Sequence, residues 1–201
     1  MIEGSSDIFV VVVELDSLTQ WGGLLKNSHI MRKKICVDHL GWTMPYHDSL
    51  YESDEYDILG TAVYLIVTKD GITPLAMCRL MPTTRPHLMQ KIYSRAGIQP
   101  ICHETIWEIS RMMVAPDNNF AVKIKAIKTL ESGIDRFSRQ RNIISFIGWV
   151  SDATYRMLRT TSMQYEEIAS LDDFEGNPTK IIQYDMTSVE YEEDSRQAMN
   201  K

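Results

Sequence analysis

The hydrophobic positions alternate in type along the chain, and strand-like runs trade places with helix-like ones. Residues 7–14, DIFVVVVE, form an unbroken β-branched run, the pattern of a strand buried on both faces. Residues 17–40 read as largely helical, with a break at Trp21-Gly22-Gly23 and a stop at Gly41. Residues 42–57 carry Pro45, Asp48 and Ser49 and read as a long loop, which in a compact domain is either functional or disordered. Two apolar runs, 58–68 and 72–80, flank Lys69-Asp70-Gly71, and an Asp-Gly pair in that position signals a β-hairpin.

The second half continues the alternation. PTTRPHLMQKIYSR reads as a turn leading into a short helix, and TIWEISRMMV (105–114) as a strand ended by Ala115-Pro116-Asp117. The segment 119–140 is helical, with Asp117 or Asn118 as its cap. IISFIGWV (143–150) is a buried strand, 153–161 a short helix, and weaker strands lie near 163–168 and 180–187. No internal repeat and no low-complexity linker interrupts this order. The pattern predicts one mixed α/β domain over 1–188, followed by a polar tail, 189–201.

Composition narrows the function more than the fold. At 201 residues, 44% hydrophobic and 24% charged, the chain has the makings of a sizeable core. A net charge of −6 argues against whole-surface binding to nucleic acid. No apolar run approaches the roughly 20 residues of a membrane helix, and IFVVVVEL lacks the basic start of a signal peptide. Cys36, Cys78 and Cys102 are odd in number and lack CxxC spacing, which points to a reduced, cytoplasmic protein without a zinc site.

Five features could carry chemistry. ESDEYD (52–57) puts four carboxylates into six residues beside the long loop. Either they form a solvated face, or Asp54 and Asp57 receive a cation. No basic run stands near in sequence to pair them, so they are expected to matter for a ligand rather than for folding. Arg79 sits inside an apolar strand, LAMCRLM, and needs a carboxylate partner there, whether a core ion pair or a substrate. In Trp107-Glu108-Ile109-Ser110-Arg111 two charges occupy a central strand; either they form a plain salt bridge, or a bulge lets Glu108 and Arg111 converge on one cleft. Arg32 and Trp42 bracket the end of the first helix, and an indole there offers a cation–π wall of roughly 0.5–2 kcal/mol. Lys123, Lys125, Lys128, Arg136, Arg139 and Arg141 make the helix after Pro116 basic, either as a solvated face or as a dock for a phosphorylated carrier.

In their order, Arg32…Gly41-Trp42, Glu52-Ser-Asp54-Glu-Tyr-Asp57, Cys78-Arg79-Leu-Met-Pro82-Thr83-Thr84 and Trp107-Glu108-Ile-Ser110-Arg111 resemble the LuxI-type acyl-homoserine lactone synthases of bacterial quorum sensing. The resemblance covers roughly residues 30–165. It implies the acetyltransferase-like (Gcn5-related) fold, a twisted mixed sheet opened into a V with helices on both faces. The stretch APDNNFAV lacks the glycines of an ordinary acetyltransferase's pyrophosphate loop, which favours the synthases over a Gcn5-related acyltransferase acting on another amine.

The resemblance further implies S-adenosylmethionine as a substrate, no cofactor and no metal, and an acyl thioester of acyl carrier protein or CoA as donor. It places the catalytic roles on Glu108, Arg111, Asp54 and Asp57, and substrate contacts on Arg32, Trp42, Arg79, Tyr93 and Ser110. Glu108 is the expected base for the substrate amine. The acyl chain is expected between the later strands and helices, ending near Ser151 and Thr154.

Overall fold

The computed structural model describes residues 7–42, 46–47, 50–58, 60–158, 165–174 and 177–186. In chain order these form β1 (Phe9–Val13), α1 (Leu18–Lys33), a π-helical turn over Lys34–His39, β2 (Tyr46–His47), β3 (Glu52–Ser53), α2 (Glu55–Ile58), β4 (Val63–Thr68) and β5 (Pro74–Pro82). There follow α3 (Leu88–Arg95), β6 (Ile106–Val114), α4 (Phe120–Arg141), β7 (Ser145–Ser151), α5 (Asp152–Leu158), β8 (Tyr165–Phe174) and β9 (Asn177–Asp185). The expected tail, 189–201, lies outside the described residues.

Seven strands make one sheet in the order β1-β4-β5-β6-β7-β9-β8. Every neighbouring pair is antiparallel except β6 and β7, which run parallel. That parallel pairing is short: it joins Ile106 to Ser145, Trp107 to Phe146 and Glu108 to Ile147, and stops there. Beyond it β6 stays with β5 and β7 stays with β9, so the sheet forks into a V immediately after Glu108. Gly148 sits at the fork, where a Cβ would come within 3.2 Å of the Ile109 carbonyl oxygen. A larger residue there would push the two strands apart sooner.

The helices divide between the two faces. On one, α4 and α5 cover Val63, Leu65 and Val67 of β4, Cys78 and Leu80 of β5, and Phe146 and Ile182. On the other, α1 packs on Val11, Val13, Tyr64, Ile66 and Met77, and α3 packs on Ile147 and Ile181. The expected twisted mixed sheet with helices on both faces is therefore found.

Several local expectations need correcting. The first strand is not buried on both faces: it is an edge strand, with Val11 and Val13 buried while Phe9 and Val12 are exposed. α1 runs through Trp21-Gly22-Gly23 without a break. The indole of Trp21 lies over Gly71 in the β4–β5 turn, where a Cβ would approach it to 3.3 Å, and such packing outweighs the roughly 1 kcal/mol that each helical glycine costs. That turn is the expected hairpin, held by Asp70 Oδ1 accepting the Ile72 and Thr73 amides at 2.9 and 2.7 Å.

The cap of α4 is Asn119, whose side chain accepts the Val122 amide at 3.0 Å, rather than Asp117 or Asn118. The two late strands are longer than expected and pair as a hairpin across Tyr165–Phe174 and Asn177–Asp185. The segment 42–57 is not wholly loop: Tyr46–His47 pairs with Glu52–Ser53, and a helical turn begins at Glu55.

Candidate active site

β6 carries one residue more than β5 across from it. Met77 faces Met113 and Arg79 faces Ser110, so Cys78 stands opposite both Arg111 and Met112. Arg111 absorbs the extra residue with a left-handed backbone, φ 52°, an uncommon conformation for a residue with a side chain. The bulge turns Ser110 and Arg111 toward the same side as Arg79. The bulge that would let Glu108 and Arg111 converge is present, but what it brings to one side is Ser110 and Arg111 with Arg79.

On that side three guanidiniums meet four carboxylates. Arg32 reaches from the last turn of α1, donating from Nε to Glu52 at 2.5 Å and from Nη1 and Nη2 to both oxygens of Asp57 at 3.0 and 2.9 Å. Arg79 donates from Nη1 to Asp54 at 2.5 Å and to Asp57 at 3.0 Å, and from Nε to the Ser110 hydroxyl at 3.2 Å. Arg111 Nη2 lies 3.3 Å from Glu52 and 3.0 Å from Asp54. The fourth carboxylate, Glu108, points to α3, where Oε2 accepts the Met89 amide at 2.8 Å in the first turn. The positive end of a helix dipole favours a negative charge at that position.

None of these seven side chains is more than 7% exposed. The cluster carries one net negative charge, and its least engaged oxygen belongs to Glu108. Oε1 of Glu108 and Nη2 of Arg79 have no hydrogen-bond partner among the described residues and stand 4.0 Å apart.

Electrostatics follow the geometry. Burial works to raise the Asp57 pKa, but Arg32 and Arg79 more than reverse it and hold the carboxyl well below the usual range. Burial opposes the charge on Arg32 and Arg79 as well, and the carboxylates outweigh it and raise both. Tyr64 donates its hydroxyl to Asp57 at 2.5 Å, and burial, then the Asp57 charge, keep that phenol protonated. His29, one turn before Arg32, donates from Nδ1 to the Glu52 carbonyl at 2.9 Å. Burial, then the neighbouring Arg32, lower its pKa from 6.5, so the imidazole is neutral.

The expectation that Asp54 and Asp57 lack basic partners is therefore wrong. Their partners come from α1, β5 and β6, distant in sequence and adjacent in space. All three arginines hold the acidic segment in place. Glu108 and Arg111 do not meet; Arg79 stands between them.

Trp42 follows the π-helical turn, donates its amide to the Cys36 carbonyl at 2.8 Å, and lies against Trp149 with ring centroids 6.3 Å apart. Tyr93 is fully buried in α3. Ser151 and Thr154 are engaged with each other, their hydroxyls 3.0 Å apart and the Thr154 amide donating to Ser151 Oγ, as befits the start of α5.

The basic helix, read as a solvated face or a donor dock, stands apart from the cluster. α4 lies on the opposite face of the sheet, and Lys125, Lys128 and Arg136 line a groove of about 600 Å³ beside Ile8, Phe9 and Val10 of the β1 edge. Arg139 pairs with Asp135, and Arg141 with Glu14.

Three residues in or beside the cluster, Glu52, His29 and Tyr64, are given no role of their own by the sequence reading. Glu52 was visible, two positions before Asp54 and so on the same side of an extended strand. His29 is legible as the residue three before Arg32 on one helix face. Tyr64 gives no signal apart from its place in β4.

The same architecture, with related sequence, occurs in known proteins. The autoinducer synthase family model matches residues 18–188. An acyl-homoserine-lactone synthase of Ralstonia solanacearum is 27% identical over 153 residues, which span 73% of this chain and 74% of that protein. The solved structure of the CoA-dependent acyl-homoserine lactone synthase BjaI with SAM and isopentyl-CoA superposes with a TM-score of 0.78 at 18% identity, over 90% of this chain and 84% of that one. An N-acetyltransferase structure from Lactobacillus plantarum shares the fold at a TM-score of 0.57 and 12% identity, over 89% of this chain and 98% of that one. With its parted sheet and with a family match running through the arginine–carboxylate cluster, the chain belongs to the autoinducer synthase family.

Proposed function

We infer that the protein makes a quorum-sensing signal: it is an acyl-homoserine lactone synthase that joins an acyl thioester to S-adenosylmethionine and releases methylthioadenosine. The observation that carries the residue-level reading is the excess carboxylate at the fork of the sheet, Glu108, with one oxygen unengaged beside an unengaged guanidinium nitrogen. A sulfonium and an amine are the cations such a site favours. With Asp54 and Asp57 held by arginines, the pair acts through the net negative charge of the cluster rather than as two free carboxylates. Trp42 provides the aromatic wall.

Two steps follow. The amine of S-adenosylmethionine loses a proton to Glu108, directly or through one water, and its lone pair attacks the thioester carbonyl. The tetrahedral intermediate collapses, the C–S bond breaks, and the thiolate leaves and takes up a proton. The substrate carboxylate oxygen then attacks its own γ-carbon, the bond to sulfur breaks, and methylthioadenosine departs as the lactone closes. General-base assistance of this kind contributes about 10²–10⁴-fold. The second step is intramolecular, so holding a folded conformer supplies most of its acceleration.

The thiol carrier is CoA or acyl carrier protein. The basic groove on α4 lies on the other face of the sheet from the cluster, and its charge suits the phosphates of CoA and an acidic carrier protein equally. No helix among the described residues is long and apolar enough to cross a membrane, which fits a cytoplasmic enzyme. The test is to incubate the purified protein with S-adenosylmethionine and matched acyl-CoA or acyl-carrier-protein donors, and to analyse products by mass spectrometry. Methylthioadenosine and a homoserine-lactone fragment are expected. An acylated product without methylthioadenosine would assign the protein to a different amine acceptor.

A further inference from the structure

α4 crosses β1 so closely that a Cβ at Gly133 would stand 2.8 Å from a Val10 methyl. Seated that close, the helix overhangs the outer edge of the sheet with one stripe, Lys125, Lys128, Ser132 and Arg136, whose spacing keeps them on one side. Together with Ile8, Phe9 and Val10 this stripe bounds the groove of about 600 Å³.

The floor of the groove is an open strand edge. β1 pairs with β4 over Phe9–Val13 and, being last in the sheet, has no strand on its other side among the described residues. The backbone N–H and C=O groups of every second residue therefore point outward without a strand to receive them. Edges of this kind are usually blunted by a proline, a charge or a bulge. Phe9–Val13 has none of these: it is five apolar residues in unbroken register.

What guards the edge is charge. Lys125, Lys128 and Arg136 are exposed and form no salt bridge among the described residues, whereas Arg139 and Arg141 on the same helix are paired with Asp135 and Glu14. A second copy joining edge to edge would bring two such rows together, and like charges so placed repel. An anionic chain meets the opposite situation. Charge alone would admit any anion; the unpaired backbone beside it selects an extended one.

We propose that the β1 edge beneath α4 docks an extended acidic segment of a partner protein, added as a further strand of the sheet. Its backbone pairs with β1, and carboxylates at alternate positions meet Lys125, Lys128 and Arg136. The dimensions agree. Lys125 and Arg136 are about 16 Å apart along the helix, and alternate residues of a strand recur about every 6.7 Å, so three acids span the row. With a net charge of −6 the chain as a whole turns such a segment away, which directs it to this local positive strip. The strip lies on the other face of the sheet from Glu108, so partner and acyl donor do not compete.

The probe is a fluorescein-labelled octapeptide alternating glutamate and threonine, read by anisotropy against the full chain. Wild type should bind it. Lys125→Glu combined with Lys128→Glu should weaken binding about tenfold or more without lowering the melting temperature, and raised salt should weaken it too. Methylating alternate backbone nitrogens of the peptide, in each of the two possible frames, should abolish binding in one frame and spare it in the other, because only one edge of an added strand faces β1. Bound peptide should slow amide exchange in β1, and saturating acyl-CoA or acyl carrier protein should not displace it. No binding would overturn the proposal. So would binding indifferent to both methylation frames, which is adhesion by charge, or displacement by either donor, which makes the groove a donor dock. A free protein that sediments as a dimer, with β1 already slow to exchange, would put a second copy on this edge and equally overturn it.

Discussion

Oε1 of Glu108 and Nη2 of Arg79 face each other across 4.0 Å, and neither has another partner among the described residues. The gap is too long for a direct hydrogen bond and about right for one bridging water. Both residues are otherwise well held, Glu108 by the Met89 amide and Arg79 by Asp54, Asp57 and Ser110. The unengaged oxygen is thus available for a proton without any ion pair having to break.

Glu108→Gln should therefore separate chemistry from scaffolding. The amide oxygen still accepts from Met89, and Arg79 keeps two carboxylates, so no guanidinium is stranded. The expected result is a melting temperature within a few degrees of wild type, with kcat lower by roughly 10²-fold or more and partly restored at raised pH, where more substrate amine is already neutral. A melting curve and a pH–rate profile on one purified variant decide it. Early melting with no rescue at high pH would make Glu108 a structural partner of Arg79.

Asp57→Asn should behave in the opposite way. Asp57 accepts from two nitrogens of Arg32, from Arg79, from the Tyr64 hydroxyl and from the Asp54 amide. Neutralising it leaves two buried guanidiniums underpaired, which costs about 3–5 kcal/mol. For a chain of this size that corresponds to a melting temperature lower by roughly 10 °C. Calorimetry of the substrate-free protein is the measurement, and an unchanged midpoint would mean that the arginines find other partners.

The contrast between these two acids shows what the sequence could carry. The alternation of strand and helix and the Asp70-Gly71 hairpin are local, and local patterns expose them; the bulge at Arg111 could be raised from the charges in that strand only as a condition. The partners of Asp57 come from 22 and 25 positions away, and only the folded sheet brings Arg79 and Arg32 to it. A one-dimensional reading sees four crowded acids and infers a vacancy for a cation where the fold has filled it. For the same reason β1 looked like a central strand: IFVVVVEL has the composition of one, and sheet order alone makes it an edge.

The basic helix offers a prediction on which the fold decides. Sequence alone leaves Lys125 and Lys128 as either a solvated face or a dock for the acyl donor. Both are exposed on α4, on the face of the sheet away from Glu108, beside the β1 edge. Lys125→Glu combined with Lys128→Glu should leave the donor KM within about twofold of wild type, since both charges are exposed on the other face of the sheet and exposed charges are strongly screened at ordinary ionic strength. A marked rise in KM, mimicked by salt on wild type, would place the donor's entry beside this groove.

His29 gives the cluster a pH dependence near neutrality that the carboxylates cannot. The depressed pKa of Asp57 places its contribution in acid: that stability is fully present above the ordinary carboxylate pKa of about 4 and is lost only as pH falls toward the lower folded value. His29 is depressed too, but from 6.5, by burial and by Arg32. Below pH 6.5 the unfolded imidazole takes up a proton that the folded one refuses, so the unfolded state binds more protons and stability falls as pH falls. Above 6.5 both states are neutral and the dependence vanishes. Wild-type melting temperature should therefore drop on going from about pH 7.5 to about pH 5.5. His29→Asn keeps an N–H donor for the Glu52 carbonyl and has no proton to gain, so its melting temperature should drop less over the same interval. Identical pH profiles for the two proteins would show that the imidazole titrates alike in the folded and unfolded states, and that the neutral His29 packed against Arg32 and Asp57 is not what the cluster requires.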